Sequence, residues 1–166
     1  MEARVLYEAS VSVNPILFLF LPMTALGIFL TIRYIGTARE TGSFEDKRRA
    51  VIFGLVSGAF LLSSVFMMVH TIRMNDAVVG AYRRGEYRTV EGYVEQFHPM
   101  PRTGHDSEHF FIDGVWFQYS NYSLQAGYHN AASLGGVITG DGQHLKIGYT
   151  EYGNYGNVIV YIEELP

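Results

Sequence analysis

Residues 50–72 read AVIFGLVSGAFLLSSVFMMVHTI, and whether this stretch lies in a protein core or in lipid decides the fold. It carries no charged side chain apart from the titratable His70. Residues 11–32, VSVNPILFLFLPMTALGIFLTI, form a second uncharged run. At about 1.5 Å per helical residue, roughly 20 residues cross a hydrocarbon core about 30 Å thick, and each run is that long. A small soluble domain buries one such helix, but two in succession are hard to hide in 166 residues. The expectation is therefore a transmembrane hairpin with spans at about residues 13–33 and 50–72. The segment before the first span, MEARVLYEAS, is mildly acidic, and no small-residue cleavage site follows the apolar core. This is not the pattern of a signal peptide, so the first span is expected to remain in the mature protein.

Within the hairpin, Asn14 and Pro15 look like an N-cap and a first-turn proline. Pro22 lies inside the span, where hydroxyls such as Thr24 can satisfy the carbonyl it frees. In the second span Gly54 and Gly58 form a small-xxx-small pair that lets another helix approach. Ser57, Ser64 and Thr71 recur at sevenfold spacing, with Leu61 and Met68 assigned to the same stripe. Such a stripe either lines a pore or packs helix on helix, and a pore requires several copies of the hairpin. The connection RYIGTARETGSFEDKRR is too short and polar for a re-entrant filter of the potassium-channel type. Charge counting leaves the orientation tied: Arg33, Arg39, Lys47, Arg48 and Arg49 lie on one side, and Arg4, Arg73, Arg83, Arg84 and Arg88 on the other.

After the hairpin, residues 73–86 read as a linker with a short helical continuation that Gly80 and Gly85 interrupt. The pattern then becomes β, so residues 87–166 are expected to form a soluble domain. Strands are expected at 87–98, 108–112, 115–120, 144–149 and 158–162, with Asp113 and Gly114 as a two-residue hairpin turn. Five strands in such a short domain fit a small antiparallel barrel of the OB or SH3-like kind, with an open β-sandwich fragment as the alternative. The fold class is thus α+β: a two-helix hairpin followed by a five-stranded barrel.

Two loops of that barrel carry candidate binding groups, PMPRTGHDS and TEYGNYGN. Tyr119 and Tyr152 are among the aromatics that either stack on a ligand or fill the core. From Gly85 onward there are ten acids against three bases, Arg88, Arg102 and Lys146, which opposes nucleic-acid binding. Only an oligomer that gathers Arg83, Arg84 and Arg88 around an axis would build a basic ring. His98, His105 and His109 with Asp106 and Glu108 are zinc-compatible, yet the His-x6-His-x3-His spacing matches no specific zinc motif. Hydrogen bonding within the loop, or pH-sensitive contact, is the simpler role. The absence of cysteine removes disulfides and thiolate chemistry. No nucleophile elbow, Walker loop or paired-carboxylate pattern is present, so neither an enzyme nor a cofactor is expected, with a metal-dependent enzyme that uses His98 and His105 as the remaining alternative.

The order SVNP, a second span, GEYRTVEGYVEQFHPMP, GH, DGVWFQYS, LGG and VIVYIEE resembles a group of small two-span bacterial membrane proteins. The likeness runs over nearly the whole chain, and FHPMP with GH is its most specific part. That group has a histidine before the paired glycines, where this chain has Leu134. The chain also resembles the membrane effector of Hailong-type antiphage defence. This second resemblance implies a homo-oligomeric ion-conducting pore, with a tetramer as the guess, in the bacterial inner membrane. It further implies a β domain in the cytoplasm that responds to a DNA ligand made by a partner nucleotidyltransferase. On that expectation Ser57, Leu61, Ser64 and Met68 line the pore, and Gly54 and Gly58 pack helices. Arg83, Arg84, Arg88, His98, Arg102, His105, Tyr119 and Tyr152 are the ligand-binding candidates. The rival expectation is a membrane-anchored binding module without pore activity.

Overall fold

The computed structural model describes residues 3–11, 17–123 and 125–166. The proposed Asn14 cap and Pro15 lie outside the described residues. The chain divides into two compact units, Val13–Ile72 on one hand and Met1–Ser12 with Arg73–Pro166 on the other.

The first unit is a hairpin of two helices, α1 (Leu17–Thr41) and α2 (Phe44–Asn75). Both are long and apolar enough to cross a membrane. The connection is tighter than the polar sequence between the spans implies, because helix continues to Thr41 and resumes at Phe44. Gly42 adopts a left-handed φ of 69° and its N–H donates to the Ala38 carbonyl, ending α1. Ser43 then opens α2 by accepting from the Asp46 N–H, with Glu45 and Asp46 complementing the helix dipole. Around Pro22 the Thr24 hydroxyl donates to the Phe20 carbonyl, not to that of Phe18, the one Pro22 frees.

The seam between α1 and α2 is built from small side chains. A Cβ on Gly27 would lie 2.7 Å from the Ser57 Cβ, and one on Gly54 would lie 3.7 Å from Thr31. Gly58 faces open space. Tyr34 stacks on Phe53 at 5.5 Å, with the Arg49 guanidinium over the tyrosine ring. Ser57 and Ser64 are each only 5% exposed, whereas Leu61 and Met68 are 48% and 56% exposed. The four positions expected together on one pore-lining stripe therefore differ in exposure. The serines are buried, their hydroxyls donating to the Gly54 and Phe60 carbonyls of their own helix, and do not share an open face with Leu61 and Met68.

The second unit is a six-stranded antiparallel sheet in the order β1-β6-β5-β2-β3-β4. Its strands are β1 (Arg4–Glu8), β2 (Arg88–His98), β3 (Glu108–Ile112), β4 (Val115–Tyr119), β5 (His144–Glu151) and β6 (Asn157–Glu164). The five strands read from sequence are present within a few residues. The sixth, β1, comes from before the first helix and pairs with β6, Arg4 opposite Glu164 and Glu8 opposite Tyr161.

The sheet is open, which corrects the expected closed barrel. Closure would require β4 to ladder onto β6, and other backbone already occupies that edge. Beyond β1, the Ala9 N–H donates to the Val160 carbonyl and the Tyr128 N–H to the Ile159 carbonyl. Gly127 permits this approach with a φ of 87°, and a Cβ there would lie 2.6 Å from the Ile159 oxygen. From β4, the Trp116 carbonyl accepts from the Asn157 side chain at 2.9 Å, and no β4–β6 ladder forms among the described residues.

One face of the sheet holds the main core, with Phe110, Phe117, Ile112, Ile138, Leu145, Ile147 and Ile162 fully buried. A second cluster packs Met74, Val78 and Val79 against Ala9, Ala126, Val158 and Val160. Helical backbone runs from α2 through a π-helical turn, Asp76–Gly80, into α3 (Ala81–Arg84). Gly80 therefore does not interrupt the helix: it sits inside it, beside the flexible ends of the Arg84 and Asp76 side chains. Gly85, at a φ of 73°, ends the run, and the Glu86 N–H donates back to the Ala81 carbonyl.

Candidate functional site

The strand β2 carries a bulge. Gln96 has a φ of 53°, and the register with β3 shifts so that Glu95 lies opposite Phe111 while His98 lies opposite His109. The Phe97 N–H freed at the bulge donates to the Asp141 carboxylate at 2.8 Å. One consequence is that the His98 and His109 rings stack with centroids 4.5 Å apart and planes 15° from parallel. Ring contacts continue across the sheet, tilted rather than stacked, through Trp116, 4.7 Å from His109, to Phe111. The tight turn at Asp113 and Gly114, with φ values of 45° and 74°, keeps β3 and β4 in that register.

The loop between β2 and β3 follows directly from the bulged end of β2. Its PMP motif buries Met100 completely, with the Ser120 hydroxyl against the sulfur at 3.3 Å. The Arg102 Nε donates to the Ser133 carbonyl. Beyond it, Gly104 at a φ of 72° packs on the Tyr122 ring, and His105 adopts a left-handed φ of 68°. Thr103, His105, Asp106, Ser107 and Tyr122 line an open cavity of about 630 Å³.

Asp106 joins the cavity to the stack. Its carboxylate lies 2.9 Å from His98 Nε2 and accepts the Ser107 N–H at 2.7 Å. The His98 hydrogen bond, then the Ser107 amide, hold this carboxyl below the usual range for aspartate. His109 Nδ1 lies 3.2 Å from the Ser107 carbonyl, which only accepts, so Nδ1 is the donor in that contact. Among the described residues no three His, Asp or Glu side chains gather around a metal position. The two histidines stack their ring faces on each other.

Glu108 belongs elsewhere. It is fully buried, accepts the Tyr119 hydroxyl at 2.6 Å, and accepts the Ala132 N–H at 2.8 Å. It thus ties β3 to the short 3-10 turn Ala132–Leu134, which carries the loop before β5. Tyr119 is corrected from ligand candidate to core residue: it is 3% exposed, and burial followed by Glu108 raises its pKa. Tyr152 stacks on Tyr155 and packs at the second cluster rather than beside the histidines.

The arginines are largely engaged. Arg84 pairs with Glu86 at 2.7 Å and lies 3.7 Å from Asp76, and Arg88 pairs with Glu151 at 2.9 Å. Arg83 is exposed. Of the ligand candidates, the structure therefore brings His98, His105 and Arg102 to one loop and leaves the others apart. Trp116 and Asp106 complete that site. Trp116, the one tryptophan of the sequence, lies on the alternating strand VWFQY, a pattern that marks a strand but does not single out the indole as a site residue.

No protein-family model, curated protein or solved structure matches this chain.

Proposed function

We propose that the chain is a two-span membrane protein that presents a ligand-binding β-sheet domain at the bilayer surface. The observation that carries this reading is the pairing of β1 with β6, on either side of the helical hairpin in sequence. Both ends of the hairpin must then return to one side, as two crossings require. The lipid-facing character is supported by exposed side chains such as Phe29, Ile32, Leu55, Leu62 and Phe66, each at least 60% exposed. In water, so much contiguous apolar surface would drive association.

The ligand surface is the stack of His98, His109 and Trp116 with the adjoining cavity. It fits a molecule that offers a flat apolar face to the rings and polar groups to Asp106, Ser107 and His105, as a glycan or a protein segment does. A DNA ligand draws less support, because Arg84 and Arg88 are already paired with carboxylates.

A second reading, a homo-oligomeric ion-conducting effector with the domain in the cytoplasm, is favoured by one feature. Helix continues without a break from Phe44 to Arg84, and its last turns pack on β6. A ligand that prefers one arrangement of the sheet would act on α2 directly. Its lining would then come from exposed positions such as Leu61 and Met68, and not from Ser57 or Ser64.

Trp116 fluorescence of the full chain in nanodiscs, titrated with a glycan array extract, peptides and single-stranded oligodeoxynucleotides, tests the binding reading. Ion flux from liposomes under the same ligands separates the two. Ligand binding with sealed liposomes supports the anchored module; flux that depends on a ligand supports the effector.

A further inference from the structure

We infer that the tip of the helical hairpin holds the phosphate headgroup of an anionic phospholipid. This inference rests on the bilayer reading above. Where α1 ends and α2 begins, the two helices enclose an open cavity of about 590 Å³. Its walls have two chemistries. Ile35, Ala38, Ala50 and Val51 give an apolar surface, and Arg39 and Lys47 line it as well.

The small size of Ala38 and Ala50, both buried, leaves the space open between the helices. Ile35 and Val51 remain 40% and 60% exposed, so the surface is available to an acyl chain. The cations are equally available. Arg48 is held by Glu45 at 2.7 Å, and Arg49 lies near Asp46 and over Tyr34. Among the described residues Arg39 and Lys47 have no such partner, and both are exposed. Two uncommitted cations beside an apolar recess, at the end of a membrane-length helix pair, match an amphiphile with a negative head and a hydrocarbon tail. A free phosphate would use the cations and leave the apolar wall wet.

The test uses the full chain. Flotation with liposomes at alkaline pH comes first, because a chain that stays in the dense fraction refutes the bilayer reading itself. The floating protein is then reconstituted in mixed phosphatidylglycerol and phosphatidylcholine, extracted in mild detergent, and weighed by native mass spectrometry with its retained lipid. Phosphatidylglycerol is expected to be enriched roughly tenfold or more over its share of the mixture. Arg39→Gln with Lys47→Gln should abolish that enrichment, while Arg48→Gln with Arg49→Gln, which removes the same charge, should preserve it. Enrichment absent from the parent chain, or lost equally in both double variants, overturns the site. Displacement of the lipid by excess inorganic phosphate would reassign it to the free anion.

Discussion

The Tyr119 hydroxyl donates to the Glu108 carboxylate at 2.6 Å, and both side chains are buried in the β-sheet core. A carboxylate in that position is tolerated because its second oxygen takes the Ala132 N–H. Glu108→Leu would orphan two buried donors, and the expected loss of stability is roughly 2–4 kcal/mol. Glu108→Gln keeps one acceptor and gains a donor toward Tyr119, so it should lose less than half as much. Denaturation of the full chain in detergent, followed by Trp116 fluorescence, measures both; equal losses would show that hydrogen bonding at this position is immaterial.

Gly127 holds the edge of β6 against Tyr128. Gly127→Ala combines a left-handed backbone with a contact of 2.6 Å to the Ile159 oxygen, and should destabilise by roughly 2–4 kcal/mol. Gly135→Ala has the same backbone problem but open space around it, and should cost roughly 1–2 kcal/mol. The difference between the two isolates the close approach of Gly127 to the Ile159 carbonyl on β6.

Trp116 lies 4.7 Å from the His109 ring, which shields one side of the indole. His109→Ala should open that side to water and shift the emission of the single tryptophan to longer wavelength. An unchanged emission spectrum in the variant would contradict the contact.

Alkaline titration reports the buried tyrosines. Burial is the leading cause that pushes Tyr7 and Tyr82 up to about 12, and it also raises Tyr119, Tyr128 and Tyr161. The folded state thus holds these phenols neutral where the unfolded chain ionises. Their contribution to stability is complete below about pH 10 and is lost as pH rises toward about 12. Tyrosinate absorbance should show these groups titrating together with unfolding; a single early step for all tyrosines at the ordinary value would contradict the burial.

Much of the sheet was legible locally. Alternating apolar positions in β2 to β6 and the Asp113-Gly114 turn carry their own register, so their strands appear in the sequence. What was missed depends on distant partners. RVLYE becomes a strand only because β6, some 150 residues later, offers it an edge. The open sheet follows from β1 and Tyr128 taking that edge first, a competition no single segment encodes. Near the candidate site, the histidine loop was visible from its residue types, but the bulge at Gln96 that aligns His98 with His109 was not. Glu108 reads as an exposed charge until Tyr119 and Ala132 are placed around it. Ser57 and Ser64 announced a polar stripe whose direction only the α1 seam decides.

The central claim is that the hairpin crosses a bilayer while β1 and β6 hold its two ends on one side. Because the chain contains no cysteine, single substitutions Glu40→Cys, Leu62→Cys and Glu91→Cys can be labelled with a membrane-impermeant maleimide in sealed right-side-out and inverted vesicles. Positions 40 and 91 should label from opposite faces, and position 62 only after detergent is added. Labelling of 40 and 91 from the same face, or of 62 in intact vesicles, would contradict the account.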